Sequence, residues 1–113
     1  MTVIPAGGRK LGPPTVNVCR VNNRGHQCVR FSAALAERIS ERFLRLDVAL
    51  NLCKIFFTPT NEDSHHLVTS TGKSKLIWLG KEGRKVFAAV QPGHYAVTPH
   101  GTKRFSIRFE KNG

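Results

Sequence analysis

The chain has 113 residues, 40% of them hydrophobic and 22% charged, which describes one domain able to bury a core without staples. Eighteen Lys and Arg stand against seven Asp and Glu, a formal charge of +11. That excess steers a protein toward polyanions, while three cysteines are an odd number for a secreted disulfide framework.

Residues 1–14 read as a flexible basic arm. "PAGGRKLGPP" is broken by Gly and Pro and carries Arg9 and Lys10, and it lacks the apolar stretch of a signal peptide. No apolar run in the chain approaches the roughly 20 residues that span a bilayer. These features predict a cytoplasmic protein with reduced thiols and no membrane partner.

Residues 15–113 form the expected domain. "TVNVCRVNNRGHQCVRF" (15–31) reads as a β-hairpin turning at Asn22 to Gly25, since Asn and Gly tolerate the positive φ of such turns. Symmetric pairing puts Cys19 opposite Cys28 and Arg24 at the tip. "SAALAERISERFLRL" (32–46) predicts a helix capped by Ser32. Leu35, Ile39, Phe43 and Leu46 share its stripe, and Glu41 stands four residues before Arg45. "DVALNLCKIFFTP" (47–59) reads as a strand ended by Pro59. "TNEDSHH" is a polar loop, "LVTS" begins a strand and "TGKS" is a turn. "KLIWL" (75–79) and "KVFAAV" (85–90) predict strands covered on both faces, joined by a "GKEG" turn. "HYAVTP" and the final "KRFSIRFEK" close the domain. In the last stretch Phe105, Ile107 and Phe109 alternate with Arg104, Ser106 and Arg108.

The pattern predicts an α+β fold, mostly antiparallel β-sheet or an open barrel, with one helix at about 32–46 packed on it. In size, charge and strand content the chain resembles small basic accessory proteins of phages and mobile elements, a likeness of style carried by no motif.

No catalytic signature stands out, and the expectation is a protein that is not an enzyme and takes no cofactor. "TSTGKS" has Leu67 where a phosphate loop needs Gly, and it leads into a strand rather than a helix. Cys19, His26, Cys28 and Cys53 lack the spacing of a zinc site. "NEDSHH" holds Glu62, Asp63, His65 and His66, residue types of a hydrolase that more often make a hydrophilic loop.

Charge points to phosphate. Residues 1–30 hold five basic residues and no acid, and residues 71–113 hold nine against Glu82 and Glu110. The candidate contacts are Arg9, Lys10, Arg24, Lys73, Lys75, Lys81, Arg84, Lys85, Lys103, Arg104 and Arg108. Trp78 and Tyr95 are candidate stacking residues, with Trp78 read mainly as core. The outer side of the last strand is either a charged, protected edge or part of an anion-binding surface. The favoured expectation is a small module binding DNA or RNA. The competing one is a protein-binding module or inhibitor docking on an acidic surface or on a host nucleic-acid-handling complex. Edge strands also leave homodimer formation open.

Overall fold

Alternation of apolar and polar residues builds the first strands. A computed structural model of the chain describes residues 13–110, and the basic arm with Arg9 and Lys10 lies almost wholly outside them. Thr15–Val18 (β1) buries Val16 and Val18, and Gln27–Phe31 (β2) buries Val29 and Phe31. The two strands form the expected antiparallel hairpin, with Val16 opposite Phe31. Its turn is held by the Asn22 side chain, whose Oδ1 accepts from the backbone N–H groups of Arg24 and His26 at 3.0 and 2.9 Å. Gly25 takes a φ of 76°, where a Cβ would be strained. The Cys19 N–H donates to the Cys28 carbonyl at 3.1 Å, so these two residues do face each other.

The helix expected over 32–46 is corrected to a single turn, Ala33–Ala36 (α1), followed by the strand Phe43–Ala49 (β3). Residues 43–49 also obey a period of two. Leu44 is fully buried while Arg45 is exposed, and Leu46 and Val48 pack against the core. Pairing over seven residues with Lys54–Thr60 (β4) decides between the two periods, because it supplies a long ladder and a buried face together. Leu35 and Ile39 keep their buried places. The helix-specific contacts are replaced. The Ser32 hydroxyl accepts from the Thr15 N–H at 3.0 Å instead of capping. Arg45 pairs with Asp47 at 3.2 Å, and Glu41 pairs with Lys103 at 3.0 Å.

The single strand expected over 47–59 is likewise two strands. A 3-10 turn at Leu50–Leu52 and a left-handed Cys53, φ 53°, fold β3 back onto β4. Pro59 does not end β4. It sits opposite Leu44, beyond the last β4 residue paired on the other side, so no bond to a second neighbour is lost.

His66–Leu67 (β5), Thr69–Thr71 (β6) and Ser74–Leu79 (β7) follow, the last two joined at Gly72, φ 63°. The turn and strand expected over 80–90 are corrected to a helix, Lys81–Phe87 (α2). Phe87 and Val90, three apart, both enter the core, while Lys81, Glu82 and Lys85 stay in solvent; that spacing suits a helical turn rather than a strand. Gly93–Ala96 (β8), Thr98–His100 (β9) and Arg104–Arg108 (β10) complete the chain.

The strands make two five-stranded antiparallel sheets, ordered β6-β7-β2-β1-β8 and β5-β3-β4-β10-β9. The chain passes between them three times, first through residues 32–42 with α1, then through the single residues Val68 and Val97. Their inner faces share one core. Phe31 of the first sheet meets Phe57 and Phe105 of the second edge-on, at 5.6 and 6.0 Å between ring centres, and those two stack at 5.1 Å. The fold is thus α+β and mostly antiparallel, as expected, with two separate facing sheets rather than a closed barrel. α1 and α2 stand at opposite ends of β7. Lys75, at its start, donates to the Ile39 carbonyl beyond α1. Arg84 of α2, past its other end, donates to the Gly25 carbonyl in the hairpin turn. No helix among the described residues is long and apolar enough to cross a membrane.

Phe57→Ala should cost about 3–5 kcal/mol in denaturant unfolding, because the ring is fully buried and packs against Phe31 and Phe105. The Glu41–Lys103 pair sets a pH dependence. Burial pushes the Glu41 carboxyl up, but hydrogen bonds from Lys103 and Ser40 and the Lys103 charge outweigh it and hold the group below its ordinary 4.5. A depressed folded value contributes stability above pH 4.5 that is lost as pH falls through that folded value. Lys103→Met should therefore destabilise at neutral pH, and the difference from the parent chain should shrink as unfolding is measured below pH 4.5.

Candidate functional site

Because β3, β4 and β10 turn their aliphatic and aromatic residues inward, their intervening residues form one continuous outer face. Arg45 and Asp47 come from β3, Lys54, Phe56 and Thr58 from β4, and Arg104, Ser106 and Arg108 from β10. β9 adds His100, opposite Arg104. β10 is flanked by both β4 and β9, so the protected-edge reading of Arg104 and Ser106 is set aside.

Phe56 is the centre of this face. It stands between Asp47 and Ser106 in the cross-strand register. The Arg104 guanidinium lies over its ring, 4.4 Å from the centroid, and the His100 ring is tilted against it at 5.3 Å. Ser106, the polar residue in the middle of the last strand, is buried and bonds the His100 Nε2 at 2.8 Å, which fixes the imidazole beside Phe56. Arg45 and Arg104 border the same concavity as the ring, and Lys54 and Arg108, paired with each other, share the face two residues along the strands. Asp47 is the single carboxylate among them and is engaged by Arg45. A shallow concavity of about 500 Å³ opens here, bordered by Arg45, Phe56, Thr58 and Arg104. Such a face can hold an anionic backbone on its cations and a planar group on the guanidinium or ring.

The cations singled out in the sequence are dispersed by the fold. Arg104 and Arg108 belong to this face. Lys103 is held by Glu41 and also donates to the Ser40 hydroxyl at 3.3 Å. Lys75 and Arg84 are tied to backbone carbonyls, and Lys85 pairs with Glu82 at 3.6 Å. Arg24 and Lys73 are exposed on turns of the first sheet, and Lys81 is exposed at the start of α2. Arg45, Lys54, Phe56 and His100 were not singled out. The alternation in "FLRLDVA", read as a strand, is the signal that would have placed Arg45 beside β4.

The stacking candidates change places. Trp78, expected in the core, is 51% exposed on the outer side of the first sheet. Tyr95 packs against the core and donates its hydroxyl to the Gln91 carbonyl.

The remaining reactive groups are modest. His65 lies 3.3 Å from Glu62, and burial together with the His65 charge lowers the His66 imidazole. Among the described residues no three His, Cys, Asp or Glu side chains group closely enough to hold a metal. Cys19, Cys28 and Cys53 are all free thiols. Burial, followed by the neighbouring Cys19 thiol, pushes Cys28 up to about 11.

Comparison with protein-family models, curated proteins and solved structures finds no match to this chain.

The raised Cys28 value sets a chemical expectation, since the thiolate is the nucleophile. Cys28 should resist iodoacetamide at pH 7.5 in the folded chain and react readily once the chain is unfolded, as read by peptide mass spectrometry.

Proposed function

We propose that the chain is a small nucleic-acid-binding module, and that the outer face of the second sheet takes a single strand. The observation that carries this reading is Arg104 lying over Phe56 at the middle of a face with four cations and one neutralised carboxylate. Phosphates need clustered Lys and Arg, and unpaired bases need planar surfaces on which to stack. An antiparallel sheet offers both at once, because alternate residues from neighbouring strands lie side by side. In this arrangement a base rests against the Arg104–Phe56 stack, while Arg45, Lys54 and Arg108 lie along the path of the backbone. The remaining cations of the +11 chain supply a general attractive field.

The test is binding of labelled single-stranded DNA, duplex DNA and RNA to the nuclease-treated protein across a salt series. Arg104→Glu with Arg108→Glu should weaken binding and lower the slope of log affinity against log salt by about one, as the Arg108 phosphate contact is lost together with the guanidinium over Phe56. Phe56→Leu keeps an apolar side chain in the sheet but removes the ring. It should cost about 1 kcal/mol or more on single strands and much less on duplex. Unchanged binding in both variants would remove this face from the account. A protein that stays bound after nuclease treatment, with no affinity for any strand at physiological salt, would replace the reading by docking on an acidic partner.

A further inference from the structure

The first sheet carries a second aromatic feature on the opposite side of the molecule. Trp78 projects outward from β7, since Ile77 and Leu79 on either side of it face the core. Beside it the β1–β2 turn and the start of α2 rise to leave an open groove of about 550 Å³. Trp78 and His26 form its aromatic wall, their rings edge to face with centres 6.3 Å apart. Lys81 and Arg84 line the same groove, and no carboxylate does. Arg84 is held in place by its bond to the Gly25 carbonyl. A guanidinium has five N–H donors, so one such bond leaves others for a ligand. Lys81 is exposed and makes no ion pair among the described residues.

A large aromatic surface left in water, next to two cations with no counter-charge, calls for a ligand that is planar at one end and anionic at the other. We propose that this groove binds one unpaired nucleoside monophosphate unit, with the base against Trp78 and His26 and the phosphate on Lys81 and Arg84. Stacking on an indole tolerates any base, while the paired cations demand the phosphate. The site stands apart from the Phe56 face, because the two lie on outward sides of facing sheets. It does not rest on that reading.

Trp78 is the one tryptophan in the chain, so its fluorescence reports this groove alone. Nucleoside 5′-monophosphates, the corresponding nucleosides and a short single-stranded oligonucleotide are titrated into the full-length protein. Saturable quenching is expected, with the monophosphate binding about ten-fold tighter than its nucleoside, the effect of a charge-assisted contact. Lys81→Glu should remove that advantage. Arg104→Glu with Arg108→Glu should leave mononucleotide binding unchanged, even if it abolishes strand binding on the other face. Quenching by the mononucleotide marks a free ligand, and quenching by the oligonucleotide alone marks a nucleotide within a strand; either supports the site. No saturable quenching by any of the three, or equal affinity for nucleoside and monophosphate, overturns it. Trp78→Leu, followed by calorimetry and checked for fold by circular dichroism, should lose binding; retained binding would also overturn the proposal.

Discussion

Every surface feature of this protein depends on one contact, the meeting of Phe31 with Phe57 and Phe105 between the two sheets. These three rings lock the register in which the sheets face each other, and a pleated strand has no freedom once one face is committed. Enclosing Phe57 turns Phe56 outward. Enclosing Phe105 and Ile107 turns Arg104 and Arg108 onto the same side, within reach of that ring. A slip of one residue in β4 or β10 would exchange these sets, burying charge and exposing the core. The outer face is therefore a consequence of the core, held by the same hydrophobic burial.

The positive charge divides into two populations with different physical roles. Lys75, Arg84 and Lys103 tie a loop or helix to a distant part of the chain, through the Ile39 carbonyl, the Gly25 carbonyl and the Glu41 carboxylate, and of the three Arg84 also lines the Trp78 groove. Their long side chains reach across the ends of the sandwich, where the strands leave backbone groups without ladder partners. Arg45, Lys54, Arg104 and Arg108 instead gather on one sheet face with a single acid among them. Net charge alone does not separate these roles, since a cation satisfied by a buried carbonyl and one standing over an aromatic ring count equally toward +11.

The two outward aromatics, Phe56 and Trp78, occupy opposite faces and differ in surroundings. Phe56 is flat, half-buried and covered by a guanidinium, which suits an extended strand crossing the sheet. Trp78 borders a groove closed on one side by the β1–β2 turn, which suits a single compact unit. A chain engaging both at once has to pass around the edge of the sandwich. The proposed sites are thus physically independent, and each has its own cations.

Much of the fold was legible in the residues themselves. Alternation in "TVNV" and "RFSIR", and the turn chemistry of Asn22–Gly25, determined the hairpin, the final strand and the antiparallel character of the whole. So did the direction of the Arg104 and Arg108 side chains, because a period of two assigns faces without knowledge of the partner. The segments that resisted were those whose apolar residues satisfy two periods. Phe43–Leu46 fits a helical stripe and a strand equally well, and the ladder with β4 chose between them. Lys85–Val90 reads as apolar strand after a turn until the core receives Phe87 and Val90 from the same side. Trp78 reads as core because its neighbours are apolar, and only the finished sheet shows which side of β7 has no cover. The sequence by itself thus determined local period and charge. The tertiary structure decided which distant residues share a face, because cross-strand neighbours such as Phe56 and Arg104 are set by pairing and carry no mark in the spacing along the chain.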